Sequence, residues 1–439
     1  MGWERWNHWT LTQLPRLNRA ILAGEFSLEA LTAQLRREVL DELPPPRSLT
    51  PLDARRVVVL LGLAGASVAR HYQEADISRK ARPAESFQRL PVGREATGFL
   101  DYFAELAAVT GTGHPPRDCY ASLVRWNLPE TRVEFSGETV ATLPGCFPDL
   151  HIRTYTNDPG EVAFFELLKK SEAFELAVNE ALEPIVAGQL DILSPEAARR
   201  GRAAAGLMAA LIRINREFAA TSPERGGLRT GHFLDVFRQF AVHWRPGDLP
   251  PTGAQDPEFI RRDLLLGIDF PEYPRQVRKI SAALLRDERA MLELCLGRSP
   301  LPALLLSAVG LSADDLAVPA DRLGRIVSEH RQLAVFYPLL AANAKFGAVH
   351  LMLTEKYLFK PQRDRDSSGV GDRELVSNRR GTTGMDEPLL VQLARARQNH
   401  PLRALSRLPG RDLAALGGAE PIRTETADVP IARFVATPG

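Results

Sequence analysis

Apolar residues recur at spacings of three and four over most of this chain, the period of helices with one buried face. The densest run, 52–72, is an almost continuous apolar stripe and predicts a buried helix. The same period predicts helices over 27–41, 95–110, 159–188, 196–219, 229–244, 273–297, 321–359 and 386–399. Period-2 alternation is scarce, and VEFSGETVATL, within 130–154, is the best place for a short strand pair or an ordered loop. The pattern predicts an all-α fold.

Breakers mark the joints. PPPRSLTP (44–51) separates a first helical pair from the next helix and supplies Thr50 as an N-cap. YTNDPG (155–160) reads as a capping turn into a long helix. A boundary near residue 153 divides a smaller N-terminal helical domain (1–153) from a larger one (154–439). RPGDLPPTGAQDP (245–257) is a loop inside the second domain, 362–380 is polar and expected to be mobile, and the tail beyond about 400 has weak periodicity and is expected to pack on the surface.

Composition narrows the class without naming a chemistry. With 55 Lys+Arg against 54 Asp+Glu, the chain lacks the basic excess of a nucleic-acid or acidic-membrane binder. Its longest apolar stretch, 57–69, has 13 residues, against roughly 18–20 for a membrane span. The start, MGWERWNHW, lacks a signal-peptide layout. Cys119, Cys146 and Cys295 are scattered, with no C-x-x-C pair, which favours reduced thiols in a cytoplasmic protein over disulfides or structural zinc.

Three features can carry chemistry. In the 321–359 segment, Val335, Leu339, Ala342, Phe346, Val349, Leu353 and Tyr357 form one apolar face, and His350 points along it. The residues alone favour a core histidine bonded to a backbone carbonyl. The sharper alternative is an axial haem ligand, a neutral imidazole on a rigid helix inside an apolar slot. Segment 229–244 carries Phe233, Phe237, Phe240 and Trp244 at helical spacing around Arg238. That stripe is either core with a snorkelling arginine or an aromatic pocket whose guanidinium grips a carboxylate. Gly381-Thr382-Thr383-Gly384 is either an interhelical turn or a backbone cradle with hydroxyls for a polar ligand.

HLMLTEKYLFKP (350–361), followed 32 residues after His350 by Thr382 in its glycine-flanked turn, resembles the proximal half of the indoleamine 2,3-dioxygenase family. HFLDVFRQF (232–240) is similar to that family's substrate-recognition helix, PPRDCYA (115–121) to a distal-pocket segment, AFF (163–165) to the distal-helix pair, and TGAQ (252–255) with LLLGI (264–268) to the distal small-residue loop and the helix after it. The matches run in the same order over roughly 50–400. VRWNLP (124–129), YTNDPGE (155–161) and the 381–384 turn look closer to the monodechloroaminopyrrolnitrin synthase-like branch, a relative in secondary metabolism.

The resemblance implies an indoleamine 2,3-dioxygenase-like helical haem domain with a smaller N-terminal helical domain. It implies haem b with its iron on His350, and Thr252, Gly253, Ala254 and Lys345 about the cofactor. Arg238 would hold the substrate carboxylate, Thr382 its ammonium or carboxylate, and Phe164, Phe233 and Tyr120 its ring. The reaction implied is O2-dependent oxygenation of tryptophan or a modified, for example halogenated, indole amino acid, with ring rearrangement as the alternative. A haem sensor or carrier and a catalytically silent scaffold are the readings from other classes; no nucleic acid or membrane partner is implied, and the oligomeric state is open.

The chain departs from the family pattern at three positions. Leu168 stands where the dioxygenases have a distal serine, Gly347 where they have an arginine that pairs a haem propionate, and Thr383 where the turn has a third-position glycine. Lys345 is the expected substitute for the missing arginine.

Overall fold

In the computed structural model, residues 3–268, 270–368, 387–417 and 429–436 are described. Helices dominate them, and side-chain caps set where the long ones begin. Thr50 Oγ1 accepts from Asp53 N (3.1 Å) at the start of Pro51–Ala75, and Asp158 Oδ1 from Gly160 N (2.8 Å) at the start of Pro159–Val186. Ser194 Oγ accepts from Ala197 N (3.2 Å) ahead of Pro195–Ala220. Each helix opens with a proline in its first turn, where the missing N–H costs nothing. Leu28–Glu38, Phe99–Thr110 and Glu387–Gln398 also follow the apolar period.

Three of the expected helices are broken, each for a local reason. Segment 229–244 forms Thr230–Asp235 and then a single tight turn, Phe237–Phe240. Its carbonyls are taken by the 51–75 helix: Arg70 Nη1 donates to Val236 O (2.7 Å), and Gln73 Nε2 to His243 O (2.9 Å). Segment 273–297 splits into Tyr273–Ser281 and Arg286–Leu296, because Ala282 O accepts from His114 N (2.7 Å) and Arg286 N donates to Gly111 O (2.9 Å). Segment 321–359 splits at His330, where φ −120° and ψ 68° leave helical backbone, into Ala320–Glu329 and Gln332–Thr354. The polar stretch after 360 opens as a helix, Lys360–Ser368, tied by Arg363 to Glu355 and Glu387, rather than as a mobile loop; its remainder lies outside the described residues.

The strand pair falls within 130–154. Glu130–Phe135 and Glu138–Leu143 run antiparallel through a Ser136-Gly137 turn, both residues at positive φ (51° and 83°), as a tight hairpin requires. The tail adds a third strand that its periodicity did not announce: Ile431–Val435 pairs antiparallel with Glu130–Phe135, from Glu130↔Val435 to Glu134↔Ile431.

Two large apolar cores result. One surrounds Pro51–Ala75 and draws residues from Trp6 to Tyr155, joined by Phe165, Phe237, Phe240, Val242 and Trp244. The other fills the space where Pro159–Val186, Pro195–Ala220 and Gln332–Thr354 pack on one another. There Gly201 is required by close approach, since a Cβ would lie 2.6 Å from Phe336 Cε1. Among the described residues no helix is long and apolar enough to cross a membrane, and Cys119, Cys146 and Cys295 are buried free thiols.

Candidate functional site

A cavity of about 280 Å³ opens between these elements. The helix Pro159–Val186 contributes Phe164, Leu168 and Glu175, the broken segment Phe233, Phe237 and Arg238, and the helix Gln332–Thr354 contributes Phe346 and His350. Tyr120 and the loop residues Thr252, Gly253 and Ala254 complete the wall. Eight of the residues singled out in the sequence therefore share one cavity: Tyr120, Phe164, Phe233, Arg238, Thr252, Gly253, Ala254 and His350. Thr382, with Gly381 and Gly384, lies outside the described residues.

Among the described residues no hydrogen bond reaches the His350 ring. Its imidazole lies face to face with Phe346 (centroids 6.0 Å apart, 15° between planes) and tilted against Phe259 (5.6 Å). Burial, helped by the Arg397 and Arg262 cations, lowers its pKa to about 4. The ring is thus neutral at pH 7 and keeps a nitrogen lone pair.

Behind this aromatic layer lies a fully buried charge network. Asp263 accepts from Arg397 Nη2 (2.6 Å), Arg397 Nε (3.1 Å) and Arg262 Nη2 (3.3 Å), which holds its carboxyl below the usual carboxylate range. The Arg262 guanidinium sits 4.6 Å from the Phe259 ring centroid and 4.4 Å from that of Phe346. Lys345 takes no part. It is exposed and absent from the cavity wall, because five residues before His350 is about 140° around the helix. The side of the helix at Gly347 is covered instead by Arg397, whose Cδ lies 3.1 Å from where a Gly347 Cβ would stand.

Arg238 is buried at 7% exposure, held in the tight turn that breaks its helix. Burial lowers its pKa to about 10, which leaves it a cation at neutral pH in surroundings that strengthen attraction to an anion. Next to it the aromatic rings interlock: Phe164 packs on Phe233 and Phe237 (5.5 Å each), and Tyr357 on Phe233 (6.2 Å) and Phe218 (5.7 Å). The Tyr357 hydroxyl is buried with no hydrogen-bond partner among the described residues. Leu168 presses on the small-residue loop, its Cδ2 3.4 Å from the Cβ position of Gly253. Tyr120 donates from its hydroxyl to Asp256 Oδ2 (3.1 Å).

The sequence reading missed Glu175, Asp256, Arg262 and Arg397. A signal for Glu175 was present: Lys169, Glu172, Glu175 and Asn179 form a polar stripe at helical spacing, and all four are buried. Asp256 was announced as the N-cap before Pro257, accepting from Glu258 N (2.9 Å) and Phe259 N (3.1 Å), but nothing local gave it a place in a cavity. Arg397 comes from a helix distant in sequence.

Neither a protein-family model nor a curated protein sequence matches the chain.

Proposed function

We propose that this protein is a haem-dependent oxygenase of indoleamine 2,3-dioxygenase-like fold acting on tryptophan or a modified indole amino acid. The observation that carries the reading is the meeting of His350, a neutral imidazole with no hydrogen bond to its ring among the described residues, with a buried Arg238 and a nest of phenylalanines on one cavity. The donor set fits the cofactor. Among the described residues no three His, Cys, Asp or Glu side chains group to hold a bare metal ion, whereas haem would bring most of its iron's ligands with it and need one protein imidazole, which His350 would supply.

His350 would hold the iron, with Thr252, Gly253 and Ala254 lining the cofactor space. When bound, haem supplies the activation of O2. The chain's own part is binding and orientation. Arg238 takes the substrate carboxylate, and Phe164, Phe233 and Tyr120 confine its ring. Leu168 offers no hydrogen bond where a serine would, which keeps that wall apolar and excludes water. The substrate is thereby fixed before any bond changes, which is the larger share of what such a protein contributes.

Absorption spectroscopy tests the proposal. Protein produced with ample haem should show a Soret band that His350→Ala loses, and L-tryptophan or chlorotryptophans should perturb the wild-type spectrum. A colourless wild-type protein refutes the reading. Haem uptake with no response to any indole amino acid makes it a carrier or sensor. Mass spectrometry of the product separates ring opening from single-oxygen insertion and from rearrangement.

A further inference from the structure

Tyr357 closes a ring of four aromatic side chains drawn from four elements. Phe164 of Pro159–Val186 packs on Phe218 of Pro195–Ala220 (6.2 Å between centroids) and on Phe233 of Thr230–Asp235 (5.5 Å). Tyr357 packs on the last two, at 5.7 Å and 6.2 Å. All four side chains line the cavity. The Tyr357 hydroxyl is the polar atom of this nest. It is shielded from water and has no hydrogen-bond partner among the described residues.

The chain is built to hold that ring in place. The helix Gln332–Thr354 passes into a π-helical turn, Glu355–Phe359, a wider winding that proteins keep mostly at functional sites. Within it Lys356 donates from Nζ to Ala219 O (2.7 Å), and the same Nζ lies 4.8 Å from the Tyr357 ring centroid. Other polar groups of the wall are engaged inside the protein. Thr354 Oγ1 donates to Leu351 O (2.9 Å), Asn215 Nδ2 to Leu211 O (2.9 Å) and the Tyr120 hydroxyl to Asp256. A hydroxyl taken out of water and left unpaired costs free energy that a phenylalanine would not, so its partner comes with what the cavity binds.

We propose that the Tyr357 hydroxyl is a specificity-determining contact for the ring of the bound ligand, accepting a hydrogen bond from the ring N–H of an indole. Phe164 and Phe233, which confine the ligand's ring in the proposed function, belong to the same nest. Tyr357 therefore meets the ring and leaves the carboxylate to Arg238. The ring N–H is the polar hydrogen that tryptophan shares with its ring-halogenated relatives. A buried acceptor waiting for it selects an indole over an apolar ring of equal size, by a bond the latter cannot make. The choice of an indole rests on the oxygenase reading.

Calorimetry on the full chain, haem-loaded if it takes up haem, tests the contact with two ligands. One is L-tryptophan, the other its benzothiophene analogue, in which sulfur replaces the N–H with little change of shape. The preference for tryptophan, read as the ratio of the two Kd values, should fall about tenfold in Tyr357→Phe, through weaker tryptophan binding and unchanged binding of the analogue. An equal ratio in the two proteins overturns the proposal. Thermal unfolding without ligand gives a second reading. Tyr357→Phe should unfold no earlier than wild type, and an earlier transition shows that the hydroxyl already has a partner within the chain, which also overturns the proposal. A protein that shows the expected fall in ratio but takes up no haem keeps the contact and loses the oxygenase reading. A protein that binds neither amino acid overturns both.

Discussion

At Arg238 burial strips hydration from a cation and, by the same loss, strengthens its pull on an anion. A guanidinium at 7% exposure has lost most of its hydration, which is why its pKa falls to about 10. The same loss makes it a strong partner for a carboxylate, since little water remains to compete. On the function proposed above, Arg238→Ala is expected to weaken L-tryptophan binding by about 2–5 kcal/mol, measured by spectral titration. Unchanged affinity would remove Arg238 from the site.

His71 shows the complementary case, a titratable ring kept neutral for stability. Its Nε2 lies 3.0 Å from Asn18 Oδ1, and burial lowers its pKa from 6.5 to about 3. Between those two values the unfolded chain binds the proton that the native state refuses, so His71 makes stability fall as pH drops from 6.5 towards 3. A glutamine there can donate to Asn18 without titrating. Denaturant unfolding of wild type and His71→Gln should thus show the variant gaining on the wild type by a few kcal/mol (about 1.4 per pKa unit) over that range. A constant difference would show that His71 is protonated in the native protein.

Among the elements, Pro51–Ala75 is the one on which the Arg238 segment depends. Its Arg70 and Gln73 take the carbonyls that would otherwise continue the helix of 229–244, and its Gly65 admits the Trp244 ring. A Cβ at Gly65 would lie 2.7 Å from Trp244 Cζ2, inside contact distance, and Trp244 is fully buried against Phe99 and Phe103. Gly65→Ala should cost about 1–3 kcal/mol of stability by overpacking and also raise the Kd for tryptophan, because the ring it displaces anchors the segment that holds Arg238. Thermal unfolding and spectral titration check the two effects separately.

At the scale of the whole molecule, a C-terminal strand joins the 130–143 hairpin in one sheet. Ile431–Val435 adds to the open edge of Glu130–Phe135, with Phe434 packed against the core around the 51–75 helix. Five strand pairs at about 0.2–1 kcal/mol each make removal of residues 429–439 cost on the order of 1–5 kcal/mol, read in denaturant unfolding. Haem uptake should survive, since this strand takes no part in the cavity wall.

The amino-acid order by itself determined the helical character, because apolar period and capping residues act within a few positions: Thr50, Asp158 and Ser194 each begin the helix that follows. It also carried the Ser136-Gly137 hairpin and most of the residues that now line the cavity. Tertiary structure alone decided what depends on groups distant in sequence. Carbonyl capture by Arg70 broke the 229–244 helix, Arg397 came to cover the Gly347 side of Gln332–Thr354, and the tail became a strand only because an edge was open to it. The same holds for Glu175 and Asp256, which line one cavity from places 81 positions apart in the chain. A carboxyl's protonation is set by what surrounds it, and surroundings are made by folding.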